Sequence, residues 1–135
     1  MAASVFIDGA SRGNPGKSSI GVVFQDVNGK SAKTISKAIG IATNNIAEYS
    51  ALIFAMQEAL MDGVKELAVF TDSEIIARQF SGEYRVKEPT LKVLHLFVTH
   101  LRKGFKKVTV SHVPREQNRL ADWEANRALD ETTLL

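Results

Sequence analysis

Leu67-Ala68-Val69-Phe70-Thr71-Asp72 is a short, mostly apolar run that ends on a carboxylate. Its length and its Val, Phe and Thr content read as a buried strand rather than a helix segment. On its N-terminal side, Ile46, Tyr49, Ile53, Met56 and Leu60 recur close to helical spacing. They predict a helix over Asn45 to Met61, stopped by Asp62-Gly63. On its C-terminal side, Ser73 to Phe80 reads as a short helix. Another starts near Pro89, runs through Leu91, Leu94, Val98 and Leu101, and closes at Gly104. A buried strand between amphipathic helices belongs to an α/β fold.

The first third of the chain has a different rhythm. Val5 to Ile7 is an apolar run, and Ser11-Arg12-Gly13-Asn14-Pro15-Gly16 is a dense turn cluster. Ile20 to Phe24 and Thr34 to Ile41 are strand-like, with Asn28-Gly29 between them as a hairpin signal. Near the other end, Val108 to Val113 alternates as a strand and Asn118 to Leu129 reads as a helix, with about residues 130–135 fraying. Three strands, helix, strand, one or two helices, strand, helix is the expected order. An antiparallel hairpin region feeding β-α-β units gives a mixed sheet with helices on its faces, in one domain over residues 1–135.

Composition bounds the function. The 135 residues suffice for one core-forming domain, and 44% hydrophobic with 24% charged residues is the balance of a globular protein. The chain has no cysteine, which excludes disulfides and thiolate metal sites. No apolar run is long enough to cross a bilayer and no signal-peptide pattern opens the chain, so a cytoplasmic enzyme with no membrane partner is expected. Net charge is only +2, but basic residues gather at Arg85, Lys87, Lys92, Arg102, Lys103, Lys106, Lys107, Arg115 and Arg119. That cluster reads equally as a footprint for a polyanion and as a solvated mixed surface.

Four acids stand out: Asp8 and Asp72 at strand ends, Glu48 and Asp122 near helix starts. Each has a local alternative. Glu48 stands three residues after Asn45, the capping-box spacing. Asp72 or Ser73 suits an N-cap, Asp122 the positive end of a helix dipole, and Asp8-Gly9 a turn. Strand ends and helix starts converge in such sheets, and four converging carboxylates need cations to offset their repulsion. A two-metal phosphoryl-transfer site is the natural candidate, with Mg²⁺ as the ion suited to oxygen ligands. With no Cys and only His95, His100 and His112, zinc is disfavoured. Asn14, Thr43, Asn44 and Asn45 both donate and accept hydrogen bonds, as reading 2′-hydroxyls in an A-like minor groove requires.

These residues resemble a known family. Asp8-Gly9-Ala10-Ser11 with Gly13-Asn14-Pro15-Gly16 is similar to the first motif of ribonuclease HI, the type 1 ribonucleases H. Thr43-Asn44-Asn45-Ile46-Ala47-Glu48 resembles its second motif and Thr71-Asp72-Ser73 its third. Val113-Pro114-Arg115-Glu116-Gln117-Asn118 followed by Ala121-Asp122 resembles its fourth. The resemblance covers essentially the whole chain, in order. It implies a five-stranded mixed sheet, three antiparallel strands followed by β-α-β units, with helices on both faces. It also implies endonucleolytic cleavage of the RNA strand of RNA–DNA hybrids, with two Mg²⁺ ions or Mn²⁺ in their place, giving 5′-phosphate and 3′-hydroxyl ends. Asp8, Glu48, Asp72 and Asp122 are then the catalytic metal ligands, and Arg12, Asn14, Thr43, Asn44, Asn45 and Ser73 touch the hybrid. A monomer without an obligatory protein partner is expected.

Two departures matter. The long basic protrusion that many members carry between the third and fourth motifs has no room in Gly82 to Pro89, so modest, salt-sensitive affinity is expected. The mobile-loop histidine of many members is also missing. His112 is predicted on a strand, and Arg115 occupies the loop position, as in short members, which nominates Arg115 as the assisting residue. The alternatives are a related metal nuclease that also cuts double-stranded RNA or RNA–DNA junctions, and a non-catalytic nucleic-acid-binding domain.

Overall fold

The computed structural model describes the backbone of residues 1–134 except Val27, and side chains through residue 131. Three strands come first: β1 (Ala2–Gly13), β2 (Gly16–Gln25) and β3 (Ser31–Ala42). Helix α1 (Asn44–Met61), strand β4 (Glu66–Thr71), helices α2 (Glu74–Ser81) and α3 (Pro89–Arg102) and strand β5 (Lys107–His112) follow. A 3-10 turn over Arg115–Gln117 leads into α4 (Arg119–Leu134). The sheet order is β3-β2-β1-β4-β5. β1 pairs antiparallel with β2 and β2 with β3, while β4 runs parallel to both β1 and β5. The mixed α/β sheet expected from the sequence is the one formed.

Two boundaries differ from the sequence reading. The Asn28-Gly29 signal sits in a five-residue connection between Gln25 and Ser31 rather than in a two-residue turn. Asp26 organises that connection, its carboxylate accepting from the N–H groups of Asn28 and Lys30 at 2.8 and 3.0 Å. α4 continues past Leu129, so residues 130–134 expected to fray are helical, and Leu135 lies outside the described residues. Asp130 and Glu131 hold that last stretch through ion pairs with Arg12 and Arg127.

The two faces of the sheet are packed differently. Val5, Ile7, Ile20, Val22, Leu52, Met56 and Val69 are fully buried in a core beneath α1. Each such side chain contributes about 1.5–3 kcal/mol relative to exposure. α4 lies on the other face and approaches the backbone of β2 directly. A Cβ on Gly21 would collide with the Ala121 carbonyl oxygen and lie 2.7 Å from the Ala125 N. Ser19 and Ser36 reinforce the seat, donating to the carbonyls of Ala125 and Glu124 at 2.5 and 2.6 Å. This contact between glycine and small residues fixes the height of α4 over the sheet, and therefore of Asp122.

Candidate active site

The β1–β4 ladder ends at the pair Ile7↔Thr71, so Asp8 and Asp72 leave it side by side. α1 brings the third acid. A Cβ on Gly9 would collide with the Ala47 carbonyl carbon and lie 2.5 Å from the Glu48 N. Only glycine lets the first turns of α1 come this close to the strand. The Gly9 N–H donates to Glu48 Oε1 at 2.5 Å, and the Thr71 hydroxyl is 3.5 Å from Oε2. One carboxylate oxygen each from Asp8, Glu48 and Asp72 lie within 4.8 Å of one another. Asp122 lies at the edge of this trio, close enough to Asp8 to help push its carboxyl up. The Asp122 Oδ1 accepts from Asn126 at 3.3 Å and faces the Arg115 guanidinium at 3.9 Å.

The local alternatives resolve against most of these acids. Thr43, not Asn45, caps α1, accepting from the Ile46 N–H at 3.2 Å, so Glu48 takes no part in a capping box. Ser73 caps α2 by accepting from Ile76 N–H at 3.3 Å, which leaves Asp72 without a structural duty. Asp8 is no turn residue; it is 5% exposed inside a paired strand, opposite Gly21. Asp122 does lie in the first turn of α4, where the helix dipole favours it.

Crowding has an electrostatic signature. Burial, with Glu48 and Asp72 close by, pushes the Asp8 carboxyl up to about 10. Burial pushes Glu48 up to about 7, against the N–H donation from Gly9. Burial therefore favours the neutral form of both carboxyls. Among the described residues, Asp8, Glu48 and Asp72 have no ion-pair partner at all. A largely buried acid cluster without a lysine or arginine partner, offering only oxygen, fits hard divalent cations.

The residues expected to touch a substrate divide. Asn14 and Asn44 come together, the Asn14 side chain accepting from the Asn44 N–H at 3.0 Å, and this joins the β1–β2 hairpin tip to the start of α1. Asn44 is exposed and Asn45 half-buried beside it. The hydroxyl oxygens of Thr43 and Ser73 are engaged in capping. Arg12 is held in an ion pair with Asp130 of α4. Arg115 is 80% exposed on the 3-10 turn, and His112, exposed at the end of β5, stands across from Thr71. Part of the basic run lies elsewhere: Lys107 pairs with Glu66 at the start of β4, the end of the sheet opposite Asp72. Two supports escaped the sequence reading. Gly9 carried a signal, since a glycine inside a strand marks close backbone approach. Thr71 carried none beyond its place at a strand end.

Comparison with known proteins places this geometry. A family model described as "Reverse transcriptase-like" matches residues 6–128. Ribonuclease HI of Halobacterium salinarum is 38% identical over 126 residues, covering 93% of this chain and 63% of that protein. The bifunctional protein Rv2228c of Mycobacterium tuberculosis is 41% identical over 124 residues, 91% of this chain but only 34% of its own length. The chain thus spans about a third of the mycobacterial relative. Among solved structures, RNase H1 from Halobacterium salinarum superposes with a TM-score of 0.93 at 37% identity, over 97% of this chain and 99% of that one. LC11-RNase H1 in complex with an RNA/DNA hybrid also gives 0.93, at 40% identity and the same coverage. This chain belongs to the reverse transcriptase-like family and, within it, to the ribonuclease HI type.

Proposed function

We propose that this domain is an endoribonuclease that hydrolyses the RNA strand of RNA–DNA hybrids with two Mg²⁺ ions, Mn²⁺ substituting. The observation that carries the reading is the trio of carboxylates within 4.8 Å, two of them buried and Asp72 half-buried, without a basic partner among the described residues and in ribonuclease HI sequence context. Asp8, Glu48, Asp72 and Asp122 would hold the ions. When bound, such ions lower the pKa of the attacking water and offset charge on the departing 3′ oxygen. Hydrolysis adds the water oxygen to phosphorus and breaks the P–O3′ bond, leaving 5′-phosphate and 3′-hydroxyl ends.

The chain's own groups hold and orient. The Gly9 N–H and Thr71 hydroxyl fix the Glu48 carboxylate between β1 and β4, so its lone pairs are aimed before any ligand arrives. Arg115 faces Asp122 Oδ1 at 3.9 Å and brings a cation to the scissile phosphate. Asn14, Asn44 and Asn45 present amides along the hairpin tip and helix start, suited to 2′-hydroxyls and minor-groove edges. Arg12, Thr43 and Ser73 remain in the substrate-binding set as groups at its margin. Thr43 and Ser73 keep a hydroxyl hydrogen to donate while their oxygens cap helices. The reading includes a single catalytic domain acting as a monomer in the cytoplasm. Of the membrane question, no helix among the described residues is long and apolar enough to cross one.

The test offers labelled RNA–DNA hybrid, double-stranded RNA and double-stranded DNA in Mg²⁺, Mn²⁺ or chelator. Cleavage confined to the hybrid and dependent on metal is expected. Equal cutting of double-stranded RNA would instead support the broader nuclease, and binding without cleavage the non-catalytic domain. In the same assay Arg115→Ala should lower kcat about tenfold or more, and His112→Ala less than threefold. The reverse order would assign the assisting role to His112.

A further inference from the structure

Asn118 is 1% exposed, and three of its groups each bind a different part of the site. Its side-chain amide donates to the Ile7 carbonyl at 2.8 Å, the residue before Asp8 and 111 positions away in the chain. Its own carbonyl accepts from the Asp122 N–H at 3.1 Å. Its N–H donates to the Arg115 carbonyl at 2.9 Å, closing the 3-10 turn that carries the guanidinium. β1, the Arg115 turn and the first turn of α4 therefore meet at one buried residue, which holds β1 through its side chain and the other two through its backbone. They meet where the β1–β4 ladder stops, at Ile7↔Thr71, so the amide supplies a link that no strand pairing supplies there.

We infer that Asn118 is a positioning residue that sets the spacing between Asp8 and Asp122 and aims Arg115 at the same carboxylate. Among the described residues the Asn118 side chain has one hydrogen-bond partner, the Ile7 carbonyl, so that bond alone orients it. Asp122 has few other restraints at its own position: its Oδ1 meets only Asn126 of its own helix and, at 3.9 Å, Arg115. Removing the Asn118 amide frees the start of α4 to shift along β1, although the seat of Ala121 and Ala125 on Gly21 keeps the helix on the sheet. The approach of Asp122 to Asp8 is then lost before the fold is.

The inference rests on the proposed metal-dependent reaction, and its test separates the two. Asn118→Ala and Asn118→Ser are compared with wild type by thermal melting, by calorimetric titration with Mn²⁺ alone, and by kcat and KM on a hybrid. Serine is too short to reach Ile7 but leaves a hydroxyl, so it folds if the alanine variant does not. Val98→Ala, at a buried core position on α3, serves as a control for lost stability. Both Asn118 variants should bind Mn²⁺ about tenfold more weakly and lose at least tenfold in kcat with KM within threefold. Val98→Ala should lower the melting temperature without moving either quantity. Asn118 variants that melt lower but keep Mn²⁺ affinity and kcat within twofold of wild type would overturn the inference. Should wild type prove inactive on every hybrid, the functional reading falls, while the Mn²⁺ titration still decides the role of Asn118.

Discussion

Asp8→Asn is expected to abolish metal-dependent cleavage and, without metal, to make the protein more stable at pH 8 by about 2 kcal/mol, roughly 6–8 °C in melting temperature. The sign follows from the crowding of the acids. The Asp8 carboxyl is raised to about 10 in the folded protein, whereas in the unfolded chain it ionises near 3.8. Between those values the folded state binds a proton that the unfolded state releases, so stability falls as pH rises. Asparagine removes that dependence and the repulsion behind it. The gap between variant and wild type should open above pH 4 and widen by at most about 1.4 kcal/mol per pH unit. Saturating Mg²⁺ should close it, because ligands that bind only the folded wild type stabilise it by mass action. Melting curves at pH 5 and pH 8, with chelator and with Mg²⁺, read all of this. Equal melting of the two proteins at pH 8 in chelator would contradict the crowding account.

The second large effect is mechanical. Gly21→Ala should cost about 3 kcal/mol or more, lowering the melting temperature by about 10 °C, and cut kcat more than tenfold at 25 °C. The new methyl meets two backbone atoms, the Ala121 carbonyl oxygen and the Ala125 N, and backbone cannot swing aside as a flexible side chain can. α4 must lift, and Asp122 is the residue after Ala121. Gly40→Ala is the matched contrast. Gly40 has φ +85° but open space around its Cβ, so alanine there costs only about 1 kcal/mol of backbone strain and leaves kcat unchanged. Equal losses at both positions would mean that α4 is not seated by direct helix–sheet contact.

The acids were legible because the chemistry of strand ends is restrictive. A carboxylate at the close of Ser4 to Ile7 or Leu67 to Thr71 must find either water or a partner, and periodicity alone shows where those runs stop. The helix starts were less legible. Asn45 with Glu48, and Thr43 with Ile46, are both plausible caps one or two residues apart. The choice is made by Gly9, whose N–H takes the Glu48 carboxylate across 39 residues. Arg12 was read as a substrate contact from its place in the first motif. Its ion pair depends on α4 continuing to Asp130, beyond the point where the apolar pattern of that helix ends. Lys107 joined a basic footprint on the strength of sequence proximity to Arg115. The parallel register of β4 and β5 sends it to the opposite end of the sheet. Asn118 read as the first residue of the last helix, within the fourth motif, and nothing local announces a bond to Ile7.

In the proposed function, four carboxylates from four elements act together as one metal-dependent hydrolytic site. The most direct test is the fate of a single hybrid labelled on the RNA strand, incubated with Mg²⁺, with chelator, and with chelator followed by excess Mg²⁺. The account predicts cuts in the RNA strand alone, with 5′-phosphate and 3′-hydroxyl ends. Cleavage should disappear in chelator, return with Mg²⁺, and be absent throughout in Asp8→Asn. Cleavage that persists in chelator, or products ending in 2′,3′-cyclic phosphate, would contradict it.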